Sequence, residues 1–330
     1  MSVSGALPHL AAVATVVALL LAPACSSGDK EVSIPSGTGF AIGQPLILYH
    51  DTLENAIVAE AFDRSEAYTL QFKDDSAEQG DSVVNVDCAD DGSQAAYVIA
   101  NGLEDRLLIA GSEGSKTIDL PGGIRGFHWA PDGRRIAVAT VDPNTSEFRI
   151  MTVDTASGQT ELLTSGKGLA NWPRWSPDGG AIAYDAFDGS TNQVFVVRPG
   201  EGEPEKLTNR ESGAFYPDWS SNSEIIFGSQ TENGGQLYEV ALSGAERTLT
   251  TSDVDKTFPR SSPDRSRIAF VGTIVPPQIS TRPLVRHNVG VYTAAADGTG
   301  EELFTDLAKD AWLIGWCMGG DWLQTHWGRR

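Results

Sequence analysis

The chain has 330 residues, 40% of them hydrophobic and 21% charged, a balance that supports a folded core and excludes a chain disordered throughout. Lys and Arg number 24 against 44 Asp and Glu, so the formal net charge is -20 and the surface repels nucleic acid and anionic lipid headgroups. An acidic surface also keeps a protein soluble, and by itself it names no partner.

In chain order the first feature is LAAVATVVALLLAPA at 10–24, the one long apolar run. It is short for a membrane span and of the right length for a signal-peptide core. Ala22-Pro23-Ala24-Cys25 follows directly and leads into a polar, Gly/Ser-rich stretch. These residues resemble the lipobox of bacterial lipoproteins, in which the cysteine is diacylated and becomes the first residue. Ala22 stands where that motif usually has Leu, and residues 1–9 contain no Lys or Arg. The resemblance implies a signal peptide at 1–24, lipidation at Cys25, and a flexible linker at 25–39. The protein would then be tethered to the outer face of the cytoplasmic membrane or elsewhere in the periplasm or envelope. Plain secretion and a retained apolar anchor are the competing readings.

Three strand-like runs come next, LILYHD at 46, NAIVAEAF at 55 and AYTLQF at 67. Then a pattern begins to repeat: CADDGSQAAY at 88, WAPDGRRIAV at 129, WSPDGGAIAY at 175, WSSNSEIIF at 219, SSPDRSRIAF at 261 and WCMGGDWLQT at 316. Successive copies start 41, 46, 44, 42 and 55 residues apart, the period of a four-stranded propeller blade. After each of the first five copies comes an alternating strand (DRLLIA, FRIMTV, NQVFVV, GQLYEV, VGVYTA) and a short fourth one (KTIDL, TELLT, EKLT, RTLT, EELFT). Period-two alternation between turn residues marks strands, and no helical period appears downstream of residue 24.

Ser-Pro-Asp-Gly suits a type I turn position by position, so Asp132, Asp178 and Asp264 are expected to turn the first hairpin of each blade rather than bind a ligand. The Trp ahead of the turn is expected to wedge between neighbouring blades. AWLIGWC at 311 is an inner strand with no blade after it, and the runs at 46, 55 and 67 lack an inner strand of their own. Joining them predicts an all-β, six-bladed propeller over residues 40–330, with four-stranded blades and a ring closed by N- and C-terminal strands sharing one blade. DWLQTHW at 321 either pairs with that sheet or lies outside it.

The W-S-P-D-G-x-x-I-A-[FY] pattern resembles the TolB-type, WD40-like propeller repeat, over roughly residues 84–323. The resemblance implies the propeller half of TolB without its N-terminal domain, and no attached peptidase domain: G-x-S-x-G does not occur. With Cys25 carrying lipid, Cys88 and Cys317 remain as a pair near the ring closure, where a disulfide would lock it.

Chemistry is sparse. The five histidines form no metal-spaced pair, and no cofactor is expected. Asp142–Glu147 offers alternate oxygen ligands for calcium but lacks the turn glycine, so an exposed hairpin loop is the simpler reading. Asp87, Asp90 and Asp91 read as solvated turn residues. Two surfaces read as candidates for a partner. One is the long connection at 273–288, with Arg282, Arg286 and His287 and no acid, the alternative being a loop folded against its own blade. The other is the approach to the inner strands, where Trp172, Arg174, Tyr216, Phe258 and Arg260 would rim a channel mouth, unless they pack between blades. The leading expectation is a non-enzymatic, monomeric envelope scaffold that binds a protein or peptide. The alternative is a small-ligand binder or calcium-dependent enzyme using the central channel.

Overall fold

The computed structural model describes residues 45–51, 56–65, 67–70, 82–100, 105–111, 114–120, 122–142, 144–164, 168–232, 234–274, 289–307, 311–318 and 327–329. The chain divides between Val32 and Ser33, and the architecture is that of the second unit. Cys25, the 1–24 segment and the 275–288 connection with Arg282, Arg286 and His287 lie outside the described residues.

Every regular element among the described residues is a strand. Five four-stranded antiparallel sheets follow one another along the chain. Blade 1 comprises β4 (Ser82–Cys88), β5 (Gln94–Ala100), β6 (Asp105–Gly111) and β7 (Gly114–Asp119). Blade 2 is β8 (Ile124–Trp129), β9 (Arg135–Val141), β10 (Phe148–Asp154) and β11 (Thr160–Leu162). Blade 3 is β12 (Asn171–Trp175), β13 (Ile182–Phe187), β14 (Asn192–Arg198) and β15 (Glu201–Lys206). Blade 4 is β16 (Phe215–Trp219), β17 (Glu224–Thr231), β18 (Gly234–Ala241) and β19 (Glu246–Thr248). Blade 5 is β20 (Val254–Ser261), β21 (Arg267–Ile274), β22 (Val289–Ala295) and β23 (Glu302–Leu307).

The sixth sheet joins the two ends of the ring. Its order is β24-β1-β2-β3-β25, formed by β24 (Ala311–Met318), β1 (Pro45–Asp51), β2 (Ala56–Ala61), β3 (Ala67–Leu70) and β25 (Trp327–Arg329). It therefore has five strands, one more than the repeat predicts. The extra strand pairs Trp327 with Leu70 and Arg329 with Tyr68, covering β3. β3 reads AYTL and carries no charge, whereas the corresponding edge β15 reads EGEPEK. An uncharged edge invites pairing with another chain unless something covers it.

Among the described residues the apolar interior is divided into six clusters, one at each boundary between neighbouring blades. The repeat explains how each boundary is filled. On the second strand of a blade, Ile faces the preceding blade and the following Ala faces the next one: Ile136 packs with blade 1, Ala137 with blade 3. The Trp anchor of the next blade lands on that Ala, as Trp129 does beside Ala96, Trp175 beside Ala137 and Trp219 beside Ala183. Where the anchor is small, the opposing residue is large. Cys88 shares its cluster with Leu48. Ser261 holds the anchor slot of blade 5, and blade 4 has Ile226 in place of Ala.

Each hairpin turn closes as its sequence demands. The Gly179 N–H donates to the Ser176 carbonyl at 2.8 Å, and Asp178 Oδ1 accepts from the Gly180 N–H at 3.0 Å and the Ser176 hydroxyl at 2.6 Å. Asp132 accepts from the Arg134 N–H, and Asp264 from the Ser266 N–H. Gly133 and Gly179 follow their aspartates with φ of 66° and 70°; Arg265 takes the same slot at 60°. Its guanidinium donates to the Trp219 carbonyl of the preceding blade at 2.8 Å, which ties a strained position to its neighbour.

Enlarging Ala183 to Leu under Trp219 is expected to cost about 1–3 kcal/mol, and shrinking Trp219 to Leu in the same chain to recover part of it, read as thermal midpoints. Asp178→Ala is expected to cost about 1 kcal/mol, and Asp178→Asn less because its amide oxygen still accepts from Gly180. Hydrogen bonds from Ser176 and Gly180 hold the Asp178 carboxyl below its ordinary pKa. The difference between wild type and Asp178→Ala should therefore be full above about pH 4 and shrink as acid protonates the folded carboxyl.

Candidate functional site: an aromatic mouth over a charged axis

All inner strands run in one sense, from an entry face to the face of the Asp turns, and second-to-third-strand connections return to the entry face. Near the entry face, the inner strands of blades 3, 4 and 5 share a break. Each has a register shift, between Asn171 and Arg174, Phe215 and Asp218, and Thr257 and Arg260. Pro173, Pro217 and Pro259 lie within those intervals and have no N–H to give the ladder, so a bulge at each is expected. The residue before each proline is aromatic and left-handed: Trp172 at φ 51°, Tyr216 at 56° and Phe258 at 52°. Such backbone costs on the order of 1–3 kcal/mol per residue, and three cases in adjacent blades mark a place where geometry takes precedence over stability.

The three rings meet. Tyr216 stacks on Phe258 at 3.8 Å between centroids, and Trp172 sets an edge against both, at 5.7 Å and 5.5 Å. Phe215 extends the group, 6.2 Å from Tyr216. Trp172, Tyr216 and Phe215 are half-buried and Phe258 is buried. In blade 2 the equivalent residue is Gly126, where a Cβ would sit 3.4 Å from Trp172; its small size lets the indole lie across the boundary.

Beneath this mouth lies a ring of polar residues, of which the sequence singles out Asp87, Arg174 and Arg260 without showing that they form one buried set. The residue just before the anchor is Asp87, His128, Arg174, Asp218 and Arg260 in blades 1 to 5, and all but His128 are buried at 7% exposure or less. Three of these side chains accept from the backbone N–H of the next blade's anchor. Asp87 Oδ2 takes Trp129 at 2.9 Å, His128 Nδ1 takes Trp175 at 3.0 Å, and Asp218 Oδ2 takes Ser261 at 2.7 Å. Indole N–H groups add to the series, Trp129 donating to the Asp87 carbonyl at 3.2 Å and Trp219 to the Arg174 carbonyl at 2.9 Å. Asp87 is thus a buried latch between blades, not the solvated turn residue its sequence neighbours imply. Arg174 and Arg260 likewise lie below the mouth and do not rim it. The signal was present in the sequence as a polar residue before five of the six anchors, Gly315 before Trp316 being the exception, but β alternation does not say that this face of an inner strand is buried.

Burial lifts Asp87 to a pKa of about 7 despite the opposing pull of Arg174 and the Trp129 N–H. Asp185, on the second strand of blade 3, is also raised to about 7 by burial, offset by the Asn192 amide, the Tyr216 N–H and Arg260. Desolvation, with Arg174 adding like-charge repulsion, depresses Arg260 to about 9, while Asp218, Asp87 and Asp185 oppose the fall. Desolvation of the partly buried ring and the nearby Arg174, Arg260 and Arg265 push His128 well below its ordinary value, so it accepts its hydrogen bond as a neutral ring. Among the described residues no three His, Cys, Asp or Glu side chains are grouped to hold a metal ion. In the loop that offers oxygen ligands from Asp142 onward, Asp142 itself accepts from the Asn144 and Thr145 N–H groups and pairs with Arg149 at 2.6 Å. Cys88 is disulfide-bonded, and β4 packs against β24, the strand that carries Cys317; the Cys317 side chain lies outside the described residues.

These features define a six-bladed propeller whose blades are latched along the axis and capped on one face by aromatic rings. The family model of the TolB beta propeller domain matches residues 89–291, more than half of the chain, and the chain belongs to that family. Among curated relatives it is similar to the uncharacterized protein Atu1656 of Agrobacterium fabrum, 25% identical over 185 residues, 53% of this chain and 61% of that one. It is also similar to the uncharacterized peptidase YuxL of Bacillus subtilis, 32% identical over 103 residues, 30% of this chain and 16% of that one. Both alignments span less than two thirds of the relative. The solved structure of TolB from Acinetobacter baumannii superposes with a TM-score of 0.61 at 17% identity, covering 86% of this chain and 68% of that one, a likeness of fold.

Removing the latch at Asp218 with Ala leaves the Ser261 N–H buried without an acceptor, an expected loss of about 1–3 kcal/mol in chemical denaturation. The raised pKa of Asp185 means that between about pH 4 and pH 7 the folded chain holds a proton that the unfolded chain has released. Stability from this group therefore falls as pH rises through that window. Asp185→Asn should flatten part of the fall in thermal midpoint from pH 5 to pH 8 and leave the variant at least as stable as wild type at pH 8. An unchanged slope would exclude Asp185 as its source.

Proposed function

We propose that this chain is a non-enzymatic binding propeller of the cell envelope, tethered through a lipid on Cys25 outside the cytoplasmic membrane, and that its entry face binds a protein or peptide. The reading rests on the aromatic mouth. Trp172, Tyr216 and Phe258 are held in costly backbone geometry, and above the buried Phe258 ring Trp172, Tyr216 and Phe215 present partly exposed rings of the kind that dominate recognition surfaces. Family membership supports a binding scaffold as the general role.

The charged axis is the feature an enzyme in the channel would use, since perturbed carboxylates mark many active sites. Here Asp87, His128 and Asp218 already hold backbone N–H groups of the next blade, and the aromatic rings lie over them. That engagement favours a structural task for the cluster. Location outside the cytoplasm is supported by the disulfide at Cys88, because such bonds persist in oxidising compartments. The proposed partner of Cys88 is Cys317, across the β4/β24 contact. Net charge of -20 disfavours nucleic acid as a partner, and a closed ring is consistent with a monomer.

A photo-crosslinking amino acid at position 215, on the entry face, should capture an envelope protein in intact cells, and the same group at 134, in the Asp-turn hairpin, should not. Capture from 134 alone would overturn the assignment of the face. Alkylation before reduction should leave Cys88 and Cys317 unmodified in the exported protein, and Cys88→Ser should make Cys317 reactive. A reactive Cys317 in wild type would rule out the pairing.

A further inference from the structure

Beside the mouth, at the boundary of blades 3 and 4, lies an open groove of about 820 Å³ between the connection Asn209–Ser212 and the hairpin residues Gln230–Glu232. Its charge is arranged asymmetrically. Arg210, the cation in the groove, is fully engaged: Nε donates to Ser229 Oγ at 2.9 Å, one terminal nitrogen pairs with Glu246 at 2.8 Å, and the guanidinium lies 3.9 Å over the Tyr238 ring. Glu211 and Glu232 are exposed on either wall and enter no ion pair or hydrogen bond among the described residues. The groove thus presents two uncompensated carboxylates above an immobilised floor.

It is also continuous with the mouth. Gly213 is buried in left-handed backbone at φ 80°, and a Cβ there would come within 2.5 Å of the Phe215 ring, so that ring lies folded onto Gly213. Ser229 Oγ donates to the Gly213 carbonyl and meets Ser212 Oγ at 3.1 Å, fixing the path from the groove edge to the aromatic group. Tyr216 lies five positions after Glu211, a reach of at most about 18 Å that four or five residues of extended peptide span.

On the reading that the aromatic mouth binds a protein or peptide, we infer that the groove takes a lysine or arginine side chain of the same extended partner segment, bound between Glu211 and Glu232 while an aromatic or aliphatic residue rests on Tyr216 and Phe215. Opposite charge across a partly exposed groove gives specificity and a strong dependence on salt. Arg210 cannot neutralise the two carboxylates without giving up Glu246 and Tyr238.

The test is an array of randomised N-acetylated nonapeptides probed with the labelled protein. Bound peptides should be enriched in an aromatic or aliphatic residue with Lys or Arg three to five positions away, and the basic preference should weaken when salt is raised from 0.05 M to 0.5 M. The double variant Glu211→Gln, Glu232→Gln removes charge from two exposed positions. It should keep the apolar preference and lower the Lys/Arg enrichment at least fivefold. No basic enrichment, or one that the double variant leaves unchanged, overturns the groove assignment and leaves the mouth reading standing. Loss of the apolar preference alone overturns the mouth reading, and an array without bound peptides overturns both.

Discussion

Size complementarity across blade boundaries is the constraint on which the rest of the molecule depends. A propeller blade cannot bury either of its faces alone; each face is completed by the next copy of the repeat. The Trp anchor and the small residue behind it are therefore halves of one contact supplied by different blades, 33 to 38 residues apart in the chain. The compensated pairs make the point sharply. Cys88 against Leu48, and Ser261 facing the boundary where Ile226 replaces Ala, conserve filled volume while exchanging which blade supplies it. Close-packed interiors tolerate such exchanges when total volume is kept.

The axis works by a second rule. Where the inner strands converge, backbone N–H groups of one blade need acceptors, and the preceding blade offers a side chain: Asp87, His128 and Asp218 in three of the boundaries. Buried polar groups are affordable only when satisfied, and here each accepts from backbone that would otherwise be orphaned. The raised carboxyls and the depressed Arg260 are the electrostatic consequence of drawing charged residues from blades 1, 3, 4 and 5 into one buried column. The aromatic rings over that column separate two tasks, holding the ring together below and meeting solvent and partners above.

Much of this architecture was legible in the sequence, because a period near 40 residues with a turn tetrapeptide fixes blade number, strand order and closure at once. The residues at the mouth were legible as a set, since Trp172, Tyr216 and Phe258 all precede a proline at the same distance from their anchors. Their depth was not. Nothing in alternation alone separates Trp172, partly open, from Arg174, buried two residues later, because burial near a propeller axis depends on how closely the inner strands converge. The left-handed backbone was equally hidden, since a residue before proline ordinarily favours extended geometry. The groove beside Phe215 is formed by two connections with no shared motif, and only the folded ring brings Glu211 and Glu232 to opposite walls.

The composite sheet carries a consequence in time. β1 pairs on one side with β24, so the first strands of the ring wait for a partner made more than 250 residues later. Until then the half-blade exposes its inner edge, and the boundary with blade 5 is open. Contacts of such sequence separation form slowly and leave intermediates that aggregate if crowded. A chain built this way gains from emerging and folding as a whole, with β25 laid over the uncharged edge of β3 as the last protection against a stray neighbour.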